Sequence, residues 1–310
     1  MKPAKKTSIV AVANQKGGVA KSTSVVQLAD AFASLGKKIL VVDFDFQANT
    51  TDWFGLDEVA ERTKKTTTHA IVNSLKIPDI RLKTAIENVD LIASEMSLNY
   101  LMRNMAGTQK QFQVASMILN CDQLYEYDIV LIDTHPSVDA IFESVMNFSH
   151  YFLVPIFASK HAYKGVEYLL KVVNEIKEIN NSTLYFLGIF ITNFENDATS
   201  TEWLEKLRSF CISYSQLKKK KQHRNREGKL IMFDTIIRNS DWIKSSAAAS
   251  KPLSMLTTRK NNPQSDYLEL AQCLLGELTG KRTGRPQPTA DPSTLKPKSA
   301  FENEFGGLSL

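Results

Sequence analysis

Ile9-Val10-Ala11-Val12-Ala13-Asn14-Gln15-Lys16-Gly17-Gly18-Val19-Ala20-Lys21-Ser22-Thr23 decides the fold. The first five residues, β-branched or small and all apolar, read as a buried strand, and Ser22 to Leu35 carries apolar residues at helical spacing. Between them lies what a nucleotide phosphate requires. Small residues let backbone N–H groups converge, the helix N-terminus presents its positive dipole end, and lysines supply charge. On this reading the loop from Lys16 through Gly17, Gly18, Val19 and Ala20 to Lys21, Ser22 and Thr23 is the nucleotide-binding element. Lys21 holds the β and γ phosphates and the Ser22 hydroxyl ligates Mg²⁺. The pattern G-x-x-x-x-G-K-[ST] is not met, because Gln15 stands at its first glycine and Ala20 at its second.

Working outward, Ile39 to Asp43 reads as a second strand, so the first three elements form a parallel βαβ unit with a right-handed crossover. Further strands are expected at Val89 to Ala93, Ile129 to Asp133, Tyr151 to Ile156, Leu184 to Asn193 and Ile231 to Ile236. Helices are expected at Gln109 to Tyr125, Tyr163 to Ile179, Thr201 to Cys211 and Gln264 to Leu278. Strands alternating with helices predict an α/β chain with a doubly wound, mostly parallel sheet flanked by helices. From Lys281 onward Pro286, Pro288, Pro292 and Pro297 appear with few apolar residues until Phe301. The expected organisation is therefore one domain over residues 1–280 and a disordered tail over 281–310.

Two strand ends carry three aspartates, Asp43, Asp45 and Asp133. Val42-Asp43-Phe44-Asp45-Phe46-Gln47-Ala48-Asn49-Thr50-Thr51 follows the second strand, and Ile129-Val130-Leu131-Ile132-Asp133-Thr134-His135-Pro136 forms the strand predicted in mid-chain. Unpaired carboxylates at buried strand ends are costly unless a metal, water or lysine satisfies them. For Asp133 the competing reading is a helix N-cap, with Pro136 in the first turn.

The loop resembles the deviant Walker A box, K-G-G-x-G-K-[ST], of the ParA/MinD family of ATPases. The Asp43 segment looks like D-x-D-P-Q-G-N-A-T of ParA-type partition proteins, and the Asp133 segment looks like a Walker B strand with its continuation. Phe233-Asp234-Thr235-Ile236-Ile237-Arg238-Asn239-Ser240 is similar to F-x-T-x-I-x-R-N, and Ala247 to Leu253 to A-x-x-x-x-K-P-L. The resemblance implies a P-loop NTPase fold, ATP and Mg²⁺ as cofactors, and a nucleotide-sandwich homodimer in which Lys16 reaches the partner subunit's phosphates. It also implies that Asp45 stands beside the attacking water, and that Asp133, with Ser22 and Asp43, supports Mg²⁺ partly through water. Asn193 resembles the asparagine that reads adenine in these folds, a strand-end turn being the other reading. No guanine-type N-K-x-D occurs, which favours ATP. His135 as a general base is set aside, because the family usually has proline there and phosphoryl transfer is mainly positioning and charge stabilisation. Ala20, where a positive φ is disfavoured, and Phe46, in place of proline, point to slow turnover.

Thirty-eight Lys and Arg against thirty-three Asp and Glu give the 310 residues a net charge of +5, yet Tyr214 to Lys260 alone carries +9, so the remainder is −4. The densest part contains Lys218, Lys219, Lys220, Lys221, Arg224 and Arg226. A solvated lysine-rich loop is the bland reading; phosphate-backbone contact with nonspecific DNA, together with Arg238 and Lys244, is the functional one. ParA-type proteins bind DNA this way as ATP dimers, with a ParB-like centromere-binding or cargo adaptor protein stimulating hydrolysis. The resemblance thus implies an ATPase that segregates or positions a cargo such as a plasmid, chromosome or protein assembly.

Composition, at 43% hydrophobic and 23% charged, is that of a soluble globular chain, and the longest apolar runs, such as Ile39 to Val42, exclude a spanning helix. Met1 to Lys6 does not read as a signal peptide, so a cytoplasmic protein, nucleoid-associated when ATP-bound, is expected. No helix-turn-helix extension precedes the first strand, so autoregulation is not expected. The C-terminal Phe301 to Leu310 carries acids and two glycines, opposite to an anionic membrane's requirement. Cys121, Cys211 and Cys273 form no C-x-x-C. Three alternatives stand beside the partition ATPase: a dimeric nucleotide-bound scaffold with little turnover, a MinD-like positioning ATPase, and a biosynthetic enzyme on the same fold, for which no further Cys/His or Ser/His constellation is found.

Overall fold

The computed structural model describes residues 7–160, 162–217, 232–256 and 262–279. Among them the chain runs β1 (Ser8–Val12), α1 (Lys21–Ser34), β2 (Ile39–Asp43), then four short helices, α2 (Asn49–Trp53), α3 (Asp57–Thr63), α4 (Thr67–Asn73) and α5 (Ile77–Ile80). There follow β3 (Leu82–Lys83), β4 (Val89–Ile92), α6 (Ser97–Asn104), α7 (Val114–Leu119), β5 (Ile129–Asp133) and α8 (Ala140–Phe148). The last third holds β6 (Tyr151–Ile156), α9 (Ala162–Ile179), β7 (Tyr185–Phe194), α10 (Ala198–Leu217), β8 (Met232–Arg238), α11 (Asp241–Ala248), α12 (Leu253–Leu256) and α13 (Pro263–Leu278).

The strands form one sheet in the order β3-β4-β2-β5-β1-β6-β7-β8, parallel throughout except for the antiparallel edge pair β3 and β4. Alternate side chains of each strand feed two cores. Ile9, Ala11, Leu40, Val42, Val130 and Ile132 face helices α4 to α10, whereas Val10, Val12, Ile39, Val41, Ile129 and Leu131 face α1, α2, α3, α12 and α13. Burial on both faces explains why these strands read as unbroken apolar runs. β1 sits between β5 and β6, so the chain leaves it at the point where strand order reverses. In a doubly wound sheet that is where a crevice opens beyond the carboxyl ends of the strands.

The expected Gln109 to Tyr125 helix is not continuous. It is a 3₁₀ turn over Gln109–Gln113, α7, and a second 3₁₀ turn over Asp122–Glu126. Cys121, between the last two, is extended at φ −157°, and the flanking Asn120 and Asp122 are residue types that compete with helical bonding. The apolar residues of the segment, Phe112, Val114, Ala115, Ile118, Leu119 and Leu124, are nevertheless buried. The edge strand β3, two residues long, carried no sequence signal. Ile231 and the tail from residue 280 lie outside the described residues, as does the basic run Lys218, Lys219, Lys220, Lys221, Arg224 and Arg226. No helix among the described residues is long and apolar enough to cross a membrane. None of the three cysteines forms a disulfide, and burial pushes the Cys211 thiol up to about 12.

Candidate nucleotide-binding site

The loop after β1 is fixed from both sides. Asn14 donates through Nδ2 to the Pro155 carbonyl at 2.7 Å and accepts the Lys16 N–H through Oδ1 at 2.9 Å. Thr192 Oγ1, at the end of β7, donates to the Val19 carbonyl at 3.2 Å. Val19 itself is 1% exposed, so its side chain anchors the loop and leaves only backbone for a ligand. α1 then begins with no side-chain cap, leaving its first N–H groups to face whatever occupies the loop. Its N-cap residue Ala20 is left-handed at φ 60°, ψ 37°. A second alanine, Ala48, is left-handed at φ 53°, ψ 28° where it caps α2. Both stand where the quoted family patterns have glycine, and each costs about 1 kcal/mol. The Ala48 departure is visible in the sequence only when its segment is set against the glycine of D-x-D-P-Q-G-N-A-T.

These elements border a trough of about 740 Å³. One end is lined by Gly17, Gly18, Ala20, Lys21, Ser22, Asp45, Gln47 and His135; the other is lined by Trp53, Ile237, Ile243, Ala247 and Tyr267. Thr23 and Asn193 also line it. Asn193 is exposed, with a left-handed φ of 52°, one residue before β7 ends. Lys16 is exposed and is not among the residues lining the trough of its own chain.

Parallel register places Asp43 of β2 directly beside Asp133 of β5, and both are completely buried. Asp43 is saturated from its own chain. Its Oδ2 accepts from the Thr51 N–H at 2.9 Å and from Thr51 Oγ1 at 2.8 Å, and its Oδ1 accepts from the Asp45 N–H at 3.0 Å. Burial, and next the Asp133 charge, hold its carboxyl well above the ordinary range despite those donors. Its observed work is to fold the Asp45–Thr51 segment.

Asp133 differs. Oδ2 accepts from Thr50 Oγ1 at 2.7 Å, but Oδ1 is buried without a hydrogen-bond partner. Burial lifts this carboxyl to about 6 against the opposing pull of Ser22, Thr50 and Lys21. An orphaned buried oxygen beside the Ser22 hydroxyl is the setting a hard cation with oxygen ligands fits, directly or through water. Among the described residues no cluster of three or more His, Cys, Asp or Glu side chains is formed. A Ser hydroxyl sharing a cation with phosphate oxygens does not require one. The N-cap reading of Asp133 fails, because Asp139 caps α8 by accepting the Phe142 N–H at 3.0 Å. Lys21 is 7% exposed; burial lowers its pKa, and Asp133 and Asp45 oppose that shift. Asp45 itself accepts the Gln47 N–H at 2.9 Å.

The apolar end was not legible beforehand. It is held by Ser246, fully buried, whose Oγ accepts from Gln27 Nε2 at 3.0 Å and Trp53 Nε1 at 3.3 Å and donates to the Lys251 carbonyl. Gln27 Oε1 in turn accepts the Leu253 N–H at 3.1 Å. This buried group ties α1 and α2 to α11 and the start of α12.

Two residues expected to touch DNA have acidic partners. Arg238 is reassigned: its Nε and Nη2 clamp the two oxygens of Asp266 at 2.9 and 2.7 Å, and Nη2 also donates to the Asn262 carbonyl at 3.1 Å. A guanidinium fork spent this way ties β8 to α13 and carries little net charge outward. Lys244 Nζ lies 3.0 Å from Asp241 Oδ1, but both side chains are exposed, so this pair is weak.

Comparison with known proteins agrees with the architecture. A family described as an AAA domain, AAA_31, matches residues 7–186. The chromosome partitioning protein ParA of Caulobacter vibrioides strain NA1000 is 25% identical over 199 residues, covering 64% of this chain and 74% of that protein. Among solved structures, a putative plasmid partition protein from Borrelia burgdorferi bound to AMPPNP superposes with TM-score 0.66 at 23% identity, covering 89% of this chain and all of that one. Cobyrinic acid a,c-diamide synthase from Mycobacterium smegmatis, with bound ATP analogue and magnesium, gives TM-score 0.69 at 23% identity, covering 92% of this chain and 99% of that one. At such identity the structural likenesses speak for the fold alone. Sequence match and sheet order together establish that the chain belongs to the AAA_31 family, as a P-loop ATPase of the ParA/MinD type that stands with the ParA partition proteins.

Proposed function

We propose that this chain is a ParA-type partition ATPase. With ATP and Mg²⁺ it forms a sandwich homodimer that binds nonspecific DNA, and hydrolysis stimulated by a ParB-like or other cargo adaptor resets it. The observation that carries the reading is the trough itself. Lys21, the open start of α1, and the orphaned Asp133 oxygen beside Ser22 meet at one end, and an apolar compartment of base-accepting character lies at the other. Bound there, ATP has its phosphates on the backbone N–H groups of Gly17 to Thr23, its cation on Ser22 with Asp133 behind, and its base beside Ile237, Ile243 and Asn193. Mg²⁺ neutralises charge on the phosphate oxygens. Asp45 lies at the same end, positioned to orient a water by accepting its hydrogen.

Lys16 supports the dimer. An exposed lysine outside its own trough is free to serve the trough of a second copy, so losing the γ-phosphate removes the bond that holds two subunits together. DNA contact in this proposal rests on the Lys218 to Arg226 run and on Lys244, since Arg238 is engaged with Asp266. A single domain through residue 280 with a separate tail, and a cytoplasmic, nucleoid-associated location, complete the proposal. Binding to a random-sequence duplex at two salt concentrations, with ATP, ADP or no nucleotide, tests it. ATP-dependent binding that weakens steeply with salt is expected; absence of binding in every condition contradicts it. Left-handed Ala20 and Ala48 favour, as the second reading, a nucleotide-bound scaffold, which predicts ATP-dependent dimers without phosphate release.

A further inference from the structure

The two side chains that depart from the expected prolines, Phe46 and His135, meet in space. Asp43 and Asp133 are register partners, so the segments that follow them leave the sheet at the same edge. Phe46 comes three residues after the first and His135 two after the second. Their rings stack with centroids 4.1 Å apart and planes tilted by 31°. The His135 side chain is 14% exposed and lines the trough at the end that holds Lys21, Asp45 and Gln47.

The tautomer follows from the turn. His135 Nδ1 accepts the Ser137 N–H at 3.3 Å, while Asp139 Oδ2 stands 3.9 Å away, beyond hydrogen-bond reach. An accepting ring nitrogen carries no hydrogen, so the neutral imidazole carries its hydrogen on Nε2, across the ring from the turn. Among the described residues no protein group accepts that hydrogen. A donor is therefore fixed in orientation on one edge by backbone and on one face by Phe46, and its other edge is left for a ligand.

We propose that His135 donates an Nε2–H hydrogen bond to the terminal phosphate of a bound nucleoside triphosphate, and that Phe46 holds the ring for this bond. His135 then discriminates triphosphate from diphosphate, and Phe46 is a positioning residue acting through it. The proposal rests on reading the trough as an ATP site with its γ-phosphate near Lys21 and Asp45. A diphosphate lacks the acceptor, so the bond contributes to ATP affinity and not to ADP affinity. A hydrogen bond to a charged oxygen corresponds to roughly tenfold or more in affinity.

The test is equilibrium binding of Mg²⁺-AMPPNP and of Mg²⁺-ADP to the full chain, in wild type, His135→Ala, His135→Gln, Phe46→Leu and the Phe46→Leu/His135→Ala double variant. His135→Ala is expected to weaken AMPPNP about tenfold and to leave ADP unchanged. His135→Gln, which retains an N–H donor, restores part of the loss. Phe46→Leu shifts the ratio in the same direction, and the double variant loses no more than His135→Ala alone. Equal weakening of both nucleotides in His135→Ala, no change in either, or full additivity in the double variant overturns the proposal while leaving the ATP-site reading in place. A wild-type chain that binds neither nucleotide overturns both.

Discussion

The phosphate end of the trough takes its residues from the ends of β1, β2 and β5 and the turns directly after them. The apolar end instead gathers Trp53, Ile237, Ile243, Ala247 and Tyr267 from four elements spread between residues 53 and 267. At the first end, fixed strand geometry places charge: register alone sets Asp43 against Asp133. At the second, one buried hydroxyl, that of Ser246, holds helices α1, α2 and α11 together. The charged and the apolar lining therefore rest on separate supports, and each should fail independently.

The strongest way to break this division is at Lys21. Lys21→Ala is expected to weaken Mg²⁺-ATP binding on the order of 100-fold, since it removes a buried cation from two phosphates. Calorimetric titration checks this, and thermal stability without nucleotide should change far less. A variant that unfolds would show that the lysine charge also offsets the carboxylates of Asp133 and Asp45.

Acidity probes the same end. The Asp133 carboxyl stands at about 6 in the folded chain against 3.8 as its ordinary value, so folding takes up a proton between those limits. The resulting contribution is present in full below about pH 4 and is lost as pH rises through about 6, amounting to something on the order of 3 kcal/mol. Denaturation of the nucleotide-free chain should therefore show this term falling from pH 4 to pH 7. Asp133→Asn should reduce the slope, leaving the part that burial of Asp43 contributes, and raise stability at pH 7, because a buried like-charge neighbour is gone from Asp43.

Ser246→Ala sharpens the comparison from the other side. It leaves Gln27 Nε2 and Trp53 Nε1 buried without their acceptor, and about 1–2 kcal/mol of stability should be lost. ATP and ADP should weaken by the same factor, in contrast to changes at the phosphate end. The smallest effect is expected at Ala20. Ala20→Gly relieves a left-handed alanine, and about 1 kcal/mol of stability should be gained in a denaturant titration.

Much of the phosphate end was legible because it is local. A strand, a glycine pair, Lys21 and Ser22 occupy fifteen consecutive residues, and the aspartates mark where other strands stop. The strands themselves were legible because burial on both faces writes them as apolar runs. What was not legible depends on partners far away in sequence. Arg238 looked like a DNA contact because Asp266, which occupies its guanidinium, lies 28 residues further on in another helix. Ser246 is one small polar residue among Ser245, Ala247, Ala248 and Ala249, and nothing in that run announces a buried acceptor for Trp53. Phe46 and His135 each read as a separate departure from a motif, and only the register of β2 and β5 makes them a pair.

In the proposed function, nucleotide completes a dimer through Lys16, which does not line the trough of its own chain. Sedimentation of the wild type and of Lys16→Ala with Mg²⁺-AMPPNP, Mg²⁺-ADP or no nucleotide tests this most directly. Twice the monomer mass is expected only for the wild type with AMPPNP, while Lys16→Ala binds the nucleotide yet stays monomeric. An AMPPNP-dependent dimer of undiminished stability in Lys16→Ala, or a wild type that binds AMPPNP and remains monomeric, would contradict it.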